Sequence, residues 1–409
     1  MLTKFRRWFN RSVDAEPLLS PDKSVFYDLS EFAAGPLLTG IQRVAYRLWR
    51  EWPGGPSLVP GMIGADGVPR RLSAEFGRAM QTYFEGPSSE REDATRAILG
   101  NAQTALPIAA EDFRCFARYL TAEAFHNPVR VNFYRELAAV SAERIHAVVY
   151  DALVVLHPEF FPPGAAEQLR SYVTLLRAIP NLHFISRAAM NDYCAQVLGR
   201  SLSSYRVLGL GGDSLGRAAP HFLPGRRRFT CLGTVEPRKN HRAVLAAFDA
   251  LWREGRDVEL LFVGKLGWTT REPGWRPYEL EGDLERLTRA NPRFRWEREL
   301  GDPALRQCMI ESRATIYASE HEGFGLPPVE SLSLGIPTIV SARLPAVAEL
   351  PELGQVRLAA VTPQSIAEAV RLLCDDELAA RKTAEIAELR LPGWADIARG
   401  LHCVMTETV

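Results

Sequence analysis

From Phe229 onward, short apolar runs such as FTCLG, VELLFVG, ATIYAS and PTIVSA alternate with amphipathic stretches such as NHRAVLAAFDALWREG and PALRQCMIESR. Continuous apolar runs of this length predict strands buried on both faces. Their alternation with helices predicts a doubly wound, Rossmann-like parallel sheet. The first half shows the same elements less regularly: SVFYDLS, IHAVVYDALVVL and NLHFIS read as strands, GIQRVAYRLWREW and AAEQLRSYVTLLRAI as helices. Between the halves, GLGGDSLGRAAPHFLPGRRR is rich in Gly and Pro and without periodicity, which predicts a linker near residues 213 to 228. The expected architecture is α/β, with two Rossmann-like domains, residues 1–222 and 223–388, facing each other across a cleft. Residues 389–409 are expected to form a last helix that packs back toward the first domain.

A chain of 409 residues exceeds the size at which one core usually keeps growing, which agrees with two domains. The balance of 49 Lys and Arg against 49 Asp and Glu leaves no global basic field, so nucleic acid is not an expected partner. The six cysteines are far apart and form no C-x-x-C pair, which fits reduced thiols better than disulfides or zinc. No apolar run reaches the roughly 18 to 20 residues of a membrane span, and no signal-peptide core follows the first Met, so a cytoplasmic location is expected. The opening MLTKFRRWFNRSV sets Leu2, Phe5, Trp8 and Phe9 at helical spacing among Lys4, Arg6, Arg7 and Arg11. Residues 1–13 therefore read either as an amphipathic contact with the inner face of the membrane or as a helix docked on its own protein.

The chemistry concentrates at two strand ends. After ATIYAS comes EHEGFGLPPVE, in which seven residues separate Glu322 from Glu330. Proline belongs in the first turn of a helix, so a helix starting near Pro327 is expected. Gly323, Phe324, Gly325 and Leu326 then offer backbone N–H groups at a helix N-terminus, a ready anion site. Carboxylates at such a mouth suit the hydroxyl pairs of a ribose or hexose, although Glu330 could equally complement the helix dipole. After FTCLG comes GTVEPRKNH, where Arg238 and Lys239 could meet a diphosphate. The competing reading is a solvated basic turn before a helix capped by Asn240.

Taken together, GTVEPRKN, LLFVGKLGW, LGDPALRQCM, EGFGLPPVE and GIPTIVSARLPAVAE resemble, in order and spacing, family 4 of the retaining GT-B glycosyltransferases over most of residues 228 to 400. The first half, through YDLSEFAAGPLLTGIQRV, VVYDALVVLHPEFFP and HFISRAAMNDY, is similar to the subgroup that builds bacterial surface polysaccharides, often mannosyl- or rhamnosyltransferases.

The resemblance implies roles. Glu330 would hold the ribose, Glu322 the donor sugar, and the amides of Phe324, Gly325 and Leu326 the distal phosphate. Lys239 matches the diphosphate-binding Lys and would stabilise the departing nucleoside diphosphate. Thr234 stands after Gly233 where the family often has Arg, and Arg238 is the candidate to supply that charge. Gly40, after Thr39 and before Gln42 and Arg43, matches a glycine-bearing loop that approaches the diphosphate. Tyr150-Asp151 stands where the family has His-Asp, leaving Asp151 as acceptor-side base, with His157 as a substitute for the missing imidazole. Lys265 and Trp268 are candidate lining.

The family needs no metal. The sequence has no D-x-D and no His/Cys ligand spacing, so neither metal nor other cofactor is expected. The expected function is therefore retaining, metal-independent transfer of a hexose, with GDP-mannose as first choice, from a nucleotide sugar to a lipid-linked or surface-polysaccharide acceptor. Other polysaccharide-assembly transferases are candidate partners. The alternative is a catalytically inactive nucleotide-sugar-binding partner of an active transferase, which Tyr150 and Thr234 keep open. Another GT-B enzyme, an epimerase or a phosphorylase, is a third reading, and EGFGLP argues against the epimerase.

Overall fold

The computed structural model describes residues 24–54, 58–198, 205–267 and 280–406. The amphipathic segment 1–13 and Trp268 lie outside the described residues. The chain forms two compact units. The first takes residues up to Ala152, Ala166–Gly209 and the chain from Trp394; the second takes Leu153–Ala165 and Leu210–Gly393. The divisions thus fall at Gly209 and Gly393, where the sequence reading put residues 222 and 388. The Gly/Pro-rich stretch goes with the second unit, held there by Gly212 N–H to the Pro392 carbonyl and by Arg217 to the Leu391 carbonyl.

The sheet of the first unit runs β4-β3-β2-β1-β5-β6-β7-β8. Its strands are β1 (Val25–Asp28), β2 (Leu58–Ile63), β3 (Pro69–Arg71), β4 (Leu106–Pro107), β5 (Arg118–Thr121), β6 (Ile145–Val149), β7 (Asn181–Phe184) and β8 (Tyr205–Val207). Strands β2, β1, β5, β6, β7 and β8 pair in parallel, whereas β3 and β4 extend the sheet antiparallel. That extension departs from the purely parallel sheet expected, because short edge strands carry too little apolar pattern to announce themselves. A second departure is IHAVVYDALVVL. The strand ends at Val149, and Leu153–Leu156 is a helical turn with Leu153 and Val154 buried and Val155 exposed. A continuous apolar run has no period to separate the two.

Helix α1 (Gly40–Arg50) is capped by Thr39, whose Oγ1 accepts from Gln42 N–H. The last helix, Trp394–Thr406, buries Trp394, Ile397, Ala398, Leu401 and Met405 in this same unit, and His402 meets Trp52 edge-on.

In the second unit the strands are β9 (Arg228–Leu232), β10 (Glu259–Val263), β11 (Phe294–Glu297), β12 (Ala314–Tyr317), β13 (Thr338–Ser341) and β14 (Gln355–Leu358), in the order β11-β10-β9-β12-β13-β14. All pairings are parallel. Counted within the unit this is 3-2-1-4-5-6, the doubly wound order, whose direction reverses between β9 and β12. The expected strands FTCLG, VELLFVG, ATIYAS and PTIVSA are β9, β10, β12 and β13. Helix α2 (His241–Arg253) packs Val244, Ala247, Phe248 and Leu251 into a core with Phe229, Phe262, Phe294 and Ile366. The buried face keeps β9 and β12 side by side, so the loops leaving their C-terminal ends are neighbours.

Candidate active site

The loop after β9 (residues 233–240) and the loop after β12 (residues 318–325) are joined at several points. Glu320 N–H donates to the Arg238 carbonyl at 3.3 Å, and Arg238 Nη1 donates to the His321 carbonyl at 3.3 Å. Asn240 is the one non-glycine with positive φ (54°) among the described residues. It precedes α2 but makes no side-chain cap; its Nδ2 reaches Glu320 Oε1 at 3.0 Å instead. The expected capping role is therefore replaced by a bond between loops. Asn tolerates the left-handed region because its short polar side chain can be satisfied locally, and such conformations gather where surrounding contacts hold them.

Between these loops sits a cluster centred on Glu322. Its Oε1 accepts from Tyr317 Oη at 2.6 Å, from Ser319 Oγ at 2.9 Å and from Lys239 Nζ at 3.3 Å, and pairs with Arg238 Nη1 at 2.6 Å. No donor among the described residues reaches Oε2. Arg238 Nη2 also pairs with Glu236 at 2.6 Å. Lys239 Nζ donates to Tyr317 Oη at 3.0 Å and lies 5.1 Å from the centre of the Tyr317 ring. Burial would raise the Glu322 carboxyl, but Lys239 and Arg238 outweigh it and hold it down at about 2. Burial works against the charges of Lys239 and Arg238 too, yet Glu322 pushes both above their ordinary values. Glu322, Lys239 and Arg238 are thus held in their charged forms at neutral pH. Of the three ammonium donors of Lys239, two are engaged.

The glycines fit this geometry. Gly233 has φ 124°, and a Cβ there would come within 3.0 Å of the Lys239 side chain. Gly325 (φ 96°) is the N-cap of helix α3 (Leu326–Ser333), with proline in its first turn. The first N–H groups of a helix have no intrahelical partner, so Gly325 and Leu326 carry amides available to an anion. The Phe324 carbonyl accepts from Ala346 N–H at 2.9 Å, and its side chain packs with Leu326 against Tyr317, Val329 and Leu344, which fixes the loop. Glu330 lies one turn into α3 and is buried. Lys265 has an exposed side chain with no ion pair among the described residues; its carbonyl accepts from Val235 N–H at 2.9 Å.

Of the residues singled out in the sequence, Glu322, Lys239 and Arg238 come together in direct contact. Gly233, Thr234, Gly323, Phe324, Gly325, Leu326 and Glu330 belong to the same two loops and α3. Asp151 and Gly40 belong to the first unit. Gly40 opens α1 on the surface, where a Cβ would meet nothing within 4 Å. Asp151 is half-buried after β6. Tyr150, in the place of the family's His, is buried, and its hydroxyl donates to the Ala122 carbonyl at 2.6 Å and the Ile41 carbonyl at 3.3 Å. It braces the start of α1 against the end of β5.

Sequence reasoning missed Tyr317, Ser319, Glu236 and His241. His241 opens α2 edge-on to Phe262 at 5.0 Å; burial, then the charge of Lys239, lowers its imidazole to about 3, so it adds no positive charge. Also missed was a buried network in the first unit. Asp28 Oδ2 accepts from Arg130 Nε at 2.7 Å and Tyr134 Oη at 2.8 Å, while Glu123 pairs with Arg130 Nη1 at 2.9 Å and accepts from Glu31 and Phe32 N–H at 2.9 and 2.8 Å. Among the described residues no group of three or more His, Cys, Asp or Glu side chains is placed to hold a metal ion, and no helix is long and apolar enough to cross a membrane.

Residues 217–390 match the family of Glycosyl transferases group 1. The serotype-specific mannosyltransferase WbdA of Escherichia coli is 37% identical over 153 residues, which are 37% of this chain and 17% of that protein. The O-antigen chain mannosyltransferase B of Escherichia coli is 33% identical over 246 residues, 56% of this chain and 58% of that protein. The chain therefore spans a sixth to just over half of these relatives. Among solved structures, sucrose-phosphate synthase from Thermosynechococcus elongatus superposes with TM-score 0.61 at 14% identity, covering 94% of this chain and 98% of that one. A UDP-forming trehalose-phosphate synthase from Burkholderia xenovorans gives TM-score 0.59 at 14% identity, covering 95% and 99%. The chain thus has the GT-B fold.

Proposed function

We infer that this chain, a GT-B, mannosyltransferase-like protein, is a retaining, metal-independent glycosyltransferase that moves a hexose from a nucleotide sugar to a lipid-linked or surface-polysaccharide acceptor. Mannose is the first choice of hexose, supported by the names of the relatives, and GDP-mannose is the donor expected to carry it. The chain would work in the cytoplasm, at the inner face of the membrane and beside other transferases of polysaccharide assembly. The observation that carries this reading is the pair of half-buried cations, Arg238 and Lys239, held by Glu322 at the switch point of the second sheet.

As the bond from the sugar to the diphosphate breaks, negative charge grows on the leaving oxygen. Preorganised cations in a poorly solvated site stabilise that charge without reorganising. Lys239 retains one ammonium donor for it, and Arg238 supplies the cation that Thr234 lacks. The amides of Phe324, Gly325 and Leu326 receive the distal phosphate. Glu330 accepts from the ribose hydroxyls and Glu322, through Oε2, from a hydroxyl of the donor sugar. The acceptor oxygen forms its bond on the face the diphosphate leaves, and its proton passes to the departing phosphate oxygen, so no strong protein base is required. Asp151 and Gly40 are retained as the first unit's candidates for the acceptor and the diphosphate. The inactive-partner reading stays as the alternative, since Tyr150 stands where the family has His and Thr234 where it often has Arg.

The test is release of nucleoside diphosphate by the purified chain from a panel of nucleotide sugars, with and without membrane lipid extract and with chelator present. Extract-dependent release that survives chelator is expected. Glu330→Ala should weaken donor binding roughly tenfold to hundredfold, while Glu322→Ala acts chiefly through the sugar. Tight donor binding with no turnover in any combination contradicts the transferase reading.

A further inference from the structure

One segment of the second unit lies outside the donor machinery. Leu153–Ala165 follows β6 in the chain, yet it groups with residues 210–393. After the helical turn Leu153–Leu156 it passes through His157 and a second turn, Pro158–Phe160. There three rings gather. The His157 and His321 centroids are 3.9 Å apart, and Phe160 lies 5.8 Å from His321 and 5.9 Å from His157, with planes tilted by 39°, 41° and 39° respectively. Glu159 Oε1 stands 3.1 Å from His157 Nδ1.

The position of this group is set by the site. His321 immediately precedes Glu322, and its carbonyl takes a hydrogen bond from Arg238. The three rings are half-buried, and the Glu159 side chain is 61% exposed. Partly exposed rings stabilise a fold less than cored ones do. What they offer is a set of π faces beside a carboxylate, which is the chemistry a pyranose presents to: its C–H face lies against rings and its hydroxyls donate to a carboxylate.

We propose that His157, Phe160 and His321 form a stacking platform for a sugar ring of the acceptor, with Glu159 accepting from its hydroxyls, next to the donor sugar held at Glu322. This rests on the transferase reading for the name of its ligand, and the platform makes the acceptor's terminal sugar a determinant of specificity.

The test uses the full chain, GDP-mannose and an octyl-tailed α-mannobioside. In His157→Ala and Phe160→Ala the KM for the mannobioside should rise roughly three- to tenfold. In Phe160→Ala the donor KM and the slow hydrolysis of donor without acceptor should stay within about twofold. His157→Phe, which keeps a ring, should retain most of the wild-type affinity; an accompanying unfolding curve guards against a folding defect in Phe160→Ala. Saturation-transfer NMR of the mannobioside reads binding without turnover, and its ring-proton signals should fall sharply in His157→Ala. If wild type binds the mannobioside in this way but turns over no nucleotide sugar, the transferase reading fails and the platform stands. Unchanged acceptor KM in both alanine variants, or unchanged saturation transfer in His157→Ala, overturns the platform.

Discussion

Glu322 gathers four donors on one oxygen, so one side chain orders both cations, and its other oxygen is the one proposed to meet the donor sugar. The sequence pointed to Glu322, Arg238 and Lys239 because each sits within a few residues of a glycine or proline that marks a strand mouth. It did not point to Tyr317 or Ser319, which complete the cluster, because a Tyr at the end of a buried strand has no distinguishing pattern. The depressed Glu322 carboxyl has a consequence for stability. Its folded value, about 2 against the ordinary 4.5, means that its contribution is present above about pH 4.5 and is lost as pH falls toward 2. The contribution is roughly 3 kcal/mol at most. Glu322→Gln should therefore flatten the acid side of the stability profile, measured by urea unfolding between about pH 3 and 6. A profile parallel to wild type would count against the ion cluster.

Elements inherit their limits from such residues. Helix α3 begins at Leu326 because Gly325 takes a left-handed conformation and two prolines follow it, much as the Pro327 start in the sequence reading anticipated. Gly325→Ala must strain the backbone by roughly 1–2 kcal/mol, and its Cβ would lie 2.6 Å from Leu344 Cδ2. Chemical unfolding should register that loss, and donor affinity should fall with it as the helix N-terminus shifts; a variant equal to wild type in both would remove α3 from the donor site. The helix reading of GIQRVAYRLWREW rested on period and corresponds to α1. Where period was lacking, as in IHAVVYDALVVL, the sequence could not see the chain leave the sheet after Val149 to form the segment that carries His157.

At the scale of the whole molecule, the two-unit α/β plan was legible from the alternation of apolar runs and helices. The strand order 3-2-1-4-5-6 then accounts for why residues 238–239 and 317–322 meet. The first unit was read less completely. Its sheet also reverses direction between β1 and β5, and there Asp28 meets Glu123 and Arg130 from far along the chain, a pairing no local pattern carries. Removing one partner of a buried ionic network leaves charge uncompensated, at a cost of roughly 3–5 kcal/mol. Arg130→Met should accordingly lower the urea midpoint strongly, whereas loss of the half-exposed His157 ring should not.

In the proposed reaction Lys239 stabilises the leaving diphosphate, and donor turnover against donor affinity in Lys239→Met measures that role directly. The expected result is a fall in kcat of about a hundredfold or more, with donor Kd within roughly tenfold and an unchanged far-UV spectrum. A Lys239→Met protein that releases nucleoside diphosphate at the wild-type rate would contradict it.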